Sequence, residues 1–163
     1  MNGIWNTNHN CYAYAMKCLQ PLGNGWNSRP GKFAGQPVGT GDFAAGVVKD
    51  GAVQNLHIEI IRFEGSPVPV PPQLTDGTYL VALLANSFGY HFLRRNEASG
   101  LWFHKNGASN PAGSWFTDFN TFKTHQLTDD LVGILLQQPE LLGCAMRFQA
   151  YLKIPERGIR VAG

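Results

Sequence analysis

The chain has 163 residues, 44% hydrophobic and 12% aromatic, enough for a single domain with a buried core spanning residues 1–163. Only 15% of residues are charged and the net charge is +2, with no basic stripe to follow a phosphate backbone, so nucleic acid is not an expected partner. No apolar run approaches the roughly 18 residues of a membrane-spanning helix, and the N-terminus lacks a basic stretch followed by an apolar one.

These features predict a soluble protein with no membrane partner. It is expected to be cytoplasmic as synthesised and, if exported, to leave by a route that reads no signal peptide. Three cysteines are an odd and small number, which argues against a disulfide framework. Cys11 and Cys18, on one helix, would lie about 10 Å apart, too far for a bridge. Cys18 and Cys144 read as buried free thiols.

In chain order, "CYAYAMKCLQ" (11–20) holds no Gly or Pro, is apolar on nearly every face and stops at Pro21, as a short buried helix does. Asn10 is placed to cap it. Residues 21–41 are too rich in Gly, Pro, Asn and Ser for helix or strand and read as a long loop. Asp42 precedes "FAAGVVKDGAVQN", a second helix, and "HIEIIRF" (57–63) is a strand or an extension of that helix. "GSPVPVPPQLTDG" (65–77) is an extended proline-rich connector.

"TYLVALLAN" (78–86), "YHFLRR" (90–95) and "LWFHKN" (101–106) form an antiparallel meander. Residues 109–120 read as loop. Thr128 opens a helix over "DDLVGILLQQPELLG" that Pro139 interrupts or ends, and "CAMRFQAYLKIP" (144–155) is a final strand. A buried helix followed by an antiparallel sheet is an α+β domain.

Cys11 would stand in the first turn of its helix, where unsatisfied N–H groups and the positive end of the helix dipole favour thiolate over thiol. A cysteine nucleophile also needs a base from elsewhere in the fold, and the candidates are His9, His57, His91, His104 and His125. If residues 96–99 form the turn of the meander's second hairpin, His91 lies opposite His104, Leu93 opposite Trp102 and Arg95 opposite Gly100. His91 and His104 then share a sheet face, close enough for one imidazole to orient the other. A one-residue slip would place Lys105 opposite His91 instead.

A cysteine at a helix start, then a strand histidine, then a polar residue on the next strand resembles papain-like cysteine hydrolases. "HNCYAYAM", "GYHFLRR", "GLWFHKNG" and "FQAYLKIP" are similar to motifs of small bacterial and viral proteins of that superfamily, and the spacing of His91 and His104 is similar to that in NlpC-type cell-wall peptidases. The resemblance implies a papain-like single domain in which the N-terminal helix carrying Cys11 packs on the sheet.

It implies Cys11 as nucleophile, His91 as base and His104 as orienting residue, with Asn106 and Asp118 as alternatives for the third role. His104 departs from the Asn or Asp of the papain group proper. The Cys11 N–H and a side-chain amide of Asn6 or Asn8 could stabilise the oxyanion. Trp26, Phe33, Trp102 and Trp115 could line a substrate groove or simply fill the core.

The function expected is hydrolysis of an amide bond in peptidoglycan peptides or a host protein, as in a bacterial toxin or effector, which would have a cognate inhibitor or immunity protein as partner. Glutamine deamidation uses the same triad. A zinc site built from Cys11, His91 and His104 is a competing arrangement without CxxC or HExxH support, so no metal or cofactor is expected. A binding module that keeps the fold without activity is a further alternative.

Overall fold

The computed structural model describes residues 5–36, 41–62, 71–87, 89–105, 113–117, 123–138 and 146–163. The first part of the proline-rich connector, together with Asn106, Asp118 and Cys144, lies outside the described residues. Helix α1 (Cys11–Ala15) begins where expected, with the Asn10 side chain accepting a hydrogen bond from the Ala13 N–H.

It ends five residues earlier than Gln20 because the chain turns back on itself. The Cys18 N–H bonds to the Ala13 carbonyl and the Lys17 N–H to that of Tyr14, while Lys17 adopts a left-handed φ of 54°. This is a Schellman stop with lysine where glycine is usual, and holding a side chain there costs about 1–2 kcal/mol. Gly158 packs against the same turn, and a Cβ on it would lie 2.0 Å from the Met16 carbonyl oxygen.

The loop after α1 carries a 3-10 turn, Gly25–Asn27, and is fastened by Asp50 of helix α2 (Phe43–Ala52). The buried Asp50 carboxylate accepts hydrogen bonds from the Tyr12 hydroxyl at 2.6 Å and from the Gly31 and Ala34 N–H groups, both at 2.9 Å. The capping residue of α2 is Asp42, as the sequence indicates.

Strand β1 (Glu59–Ile61) settles the ambiguity over 57–63 in favour of a strand. Strands β2 (Thr78–Ala85), β3 (Tyr90–Arg95) and β4 (Trp102–His104) form the expected meander. Strand β5 (Trp115–Thr117) pairs with β6 (Thr124–Gln126) as a second small sheet, where a loop was expected over 109–120. Helix α3 (Asp129–Gln137), capped by Thr128, leads to β7 (Arg147–Pro155).

The order of the large sheet is β1-β7-β2-β3-β4, so the last strand is inserted between the first two. The near-continuous apolar run of β2 is that of a strand covered on both faces. On one face Tyr79, Val81, Leu83 and Phe92 pack with α1 and α2; on the other Leu80, Ala82, Leu84, Leu93 and Trp102 pack with α3. The chain is thus an α+β domain of helices and antiparallel sheet. Among the described residues no helix is long and apolar enough to cross a membrane.

Candidate functional site

Cys11 is the first residue of α1 and is 6% exposed. Its helix lies along β3: Tyr12 stacks on Phe92 with ring centroids 5.2 Å apart, and the Arg94 guanidinium donates to the Tyr14 carbonyl at 2.8 Å. Tyr90, Phe92 and Arg94 therefore face α1. The Cys11 Sγ lies 3.9 Å from the Tyr90 carbonyl oxygen, and the backbone N–H groups of Phe92, Tyr12 and Cys11 itself are directed at the sulfur. Burial nevertheless dominates and pushes the thiol up to about 12, against those N–H groups and the nearby charge of Lys105, which pull it down.

His91 and His104 do come together: Nε2 of His91 and Nδ1 of His104 are 3.1 Å apart. The register differs from the expected one by two residues, with Leu93 opposite His104 and Arg95 opposite Trp102. The turn keeps its length but moves one residue along the chain, to 97–100, because the Asn96 N–H bonds to the Leu101 carbonyl. An even shift preserves the face, and the imidazoles meet diagonally rather than directly across.

That shared face is the one opposite Cys11. His91 pairs with Leu84, whose side chain belongs to the α3 side of the core, whereas its neighbour Phe92 packs with α1. Strand alternation thus puts the sheet backbone between the thiol and the two imidazoles. The expected roles of His91 as base and His104 as orienter toward Cys11 are not met by this geometry. His91 retains part of its surface, yet burial first, then His104 beside it, lowers its pKa.

Trp102 is likewise on the α3 side, fully buried, with its indole N–H donating to Asp129 at 2.7 Å, so it is a core residue and not a groove wall. Asn6 and Asn8 are exposed turn residues: the Asn6 side-chain oxygen accepts the Asn8 N–H at 2.9 Å. Neither is drawn to the thiol as an oxyanion donor. His9 is structural, with Nδ1 accepting from the Asn6 N–H and Nε2 donating to the Leu19 carbonyl.

His57 and His125 are exposed, and Trp26 stands at the surface. Among the described residues no three His, Cys, Asp or Glu side chains gather as a metal-ligand set, so Cys11, His91 and His104 do not assemble one.

Lys105 is the polar residue that the strand reading passed over as a base. Phe103 pairs with Arg94 on the α1 side, and Lys105, two residues on, is fully buried within electrostatic reach of Cys11. Burial lowers its pKa, and the Cys11 charge works in the opposite sense. The signal was present in the alternation of "WFHKN", which sends Phe103 and Lys105 one way and His104 the other. No family model matches the chain, and no curated protein and no solved structure is detectably similar to it.

Proposed function

We propose that the chain is a cysteine hydrolase of papain-like type acting on amide bonds, with Cys11 as nucleophile and Lys105 as its proton partner. The observation that carries the reading is the setting of the sulfur: first residue of a capped helix, backbone N–H groups of Phe92, Tyr12 and Cys11 directed at it, and a buried lysine within electrostatic reach. The order of the sequence motifs supports it further.

A lysine whose pKa is lowered by burial can serve as a base, as in serine–lysine hydrolases. In its unprotonated form, which burial favours, Lys105 would take the Sγ proton, and the thiolate would attack the amide carbon. Backbone N–H groups then face the developing oxyanion. Return of the proton from the Lys105 ammonium to the leaving nitrogen breaks the C–N bond and leaves a thioester. Water attacks the thioester, losing its proton to Lys105, and releases the acid and the thiol.

Substrates of this reading are peptidoglycan peptides or a host protein, or a glutamine side chain in the deamidase variant. The setting is that of a toxin or effector with a cognate inhibitor or immunity protein. A second reading, a binding module with the same fold and no activity, is favoured by the burial that pushes the Cys11 thiol up to about 12.

Iodoacetamide labelling at neutral pH, followed by peptide mapping, separates the two. The hydrolase reading expects Cys11 to react at least about ten-fold faster than Cys18 and Cys144, with a further ten-fold loss in Lys105→Met. Equal, slow labelling of all three thiols selects the binding module. Product analysis on purified peptidoglycan and cell lysate expects Cys11→Ala and Lys105→Met to be inactive and His91→Ala to retain turnover within about two-fold. Loss of turnover in His91→Ala with retention in Lys105→Met would restore the histidine as base and remove Lys105.

A further inference from the structure

A cleft of about 1230 Å³ opens at the other end of α1, lined by Trp5, Tyr14, Lys17, Arg94 and Ser114 among others. It lies where β3 ends, and Cys11 lies where β3 begins; Tyr90 and Arg94 are four strand steps apart, on the order of 13 Å. Of the three cations in its wall, Arg95 is held by Asp129 and Glu97, and the other two lie over aromatic rings. The Arg94 guanidinium sits 4.2 Å over the Tyr14 ring and 5.6 Å from that of Trp5, and the Lys17 ammonium 4.2 Å over the Tyr79 ring.

The two cations are near enough for Arg94 to lower the Lys17 pKa, after the larger effect of burial, while the Glu156 charge works in the opposite sense. Arg94 forms no ion pair among the described residues; its hydrogen bond goes to the Tyr14 carbonyl. The Lys17 ammonium bonds to the Glu156 carbonyl, from a backbone that the helix stop holds in the left-handed region. In the same lining, the buried Ser114 hydroxyl has no hydrogen-bond partner among the described residues. Like charges held together against aromatic faces are complementary to an anion with a flat or apolar body.

We propose that this cleft binds the free carboxylate end of a peptide, with the carboxylate bridging Lys17 and Arg94 and the apolar side chain resting on Trp5 and Tyr14. Glu97 and Glu156 also line the cleft, which favours a singly charged carboxylate over a multiply charged phosphate. The proposal requires no chemistry at Cys11, so its failure and that of the hydrolase reading are distinguishable.

The test is titration of the protein with N-acetyl-alanyl-phenylalanine, its C-terminal amide and inorganic phosphate, read from the indole N–H resonance of Trp5, assigned with Trp5→Phe. The acid is expected to shift the resonance saturably, and the amide to bind at least about ten-fold more weakly. Arg94→Gln and Lys17→Met should each weaken the acid about ten-fold or more, and Cys11→Ala should leave it unchanged. If Arg94→Gln fails to fold for want of its bond to Tyr14, Lys17→Met, at the protein surface, carries the test. No saturable shift, equal binding of acid and amide, unchanged affinity in Lys17→Met, or binding of phosphate without the acid would each overturn the proposal.

Discussion

His91 is a half-buried imidazole whose pKa burial and His104 lower to about 3, against about 6.5 in an unfolded chain. Between those values the unfolded state binds the proton and the folded state does not. The stability this group contributes is therefore fully present above about pH 6.5 and is lost as pH falls toward 3, with a slope of up to about 1.4 kcal/mol per pH unit. Urea denaturation between about pH 7 and pH 5 should show that decline in the wild type and a flatter profile in His91→Gln. Equal slopes in the two proteins would mean that His91 titrates normally in the fold.

At the scale of elements, helix α3 is docked by charge as well as by leucines. The Arg95 side chain is 1% exposed and is held by Asp129, with Nε to Oδ1 at 2.8 Å and Nη2 to Oδ2 at 2.5 Å, and by Glu97 at 2.7 Å. Trp102 donates to the same Asp129. Asp129 is the first residue of α3, so one carboxylate joins the helix start to two neighbouring strands. Asp129→Ala should destabilise the fold by about 3–5 kcal/mol, since it leaves a buried guanidinium short of its partner. Adding Arg95→Met should recover part of that loss. A double variant no more stable than the single one would show that the buried charge is not the source of the penalty.

The whole molecule is organised about β2, which pairs with β3 on one side and β7 on the other and is buried on both faces. Its amides should be the slowest to exchange with solvent, opening only with global unfolding, while those of β5 and β6 should exchange faster by several powers of ten. Comparable exchange in the two sheets, measured by native-state hydrogen exchange, would contradict a fold nucleated on β2 and β7. The insertion of β7 between β1 and β2 joins residues near 60 and 80 to residues near 150, long closures that no local pattern in the chain announces.

Much of the local structure could be read directly from residue types. Asn10, Asp42 and Thr128 cap the helices they precede because a short polar side chain at those positions satisfies an orphan N–H. The runs over 78–85 and 90–95 are strands because β-branched, aromatic and leucine side chains suit a pleated, covered surface. Even the meeting of His91 and His104 followed from alternation, since the hairpin register moved by two and kept them on one face.

Which face received Cys11 was a tertiary decision. Both faces of the sheet offer alternating apolar rows, so periodicity by itself left either row of β3 free to meet α1. Packing chose: Tyr12 of α1 found Tyr90 and Phe92, and the leucines of α3 found Leu93 and Trp102. That choice turned His91 away from Cys11 and brought Lys105 toward it. The identities and spacing of the reactive groups were properties of the sequence, but their pairing across the sheet was settled by helix docking.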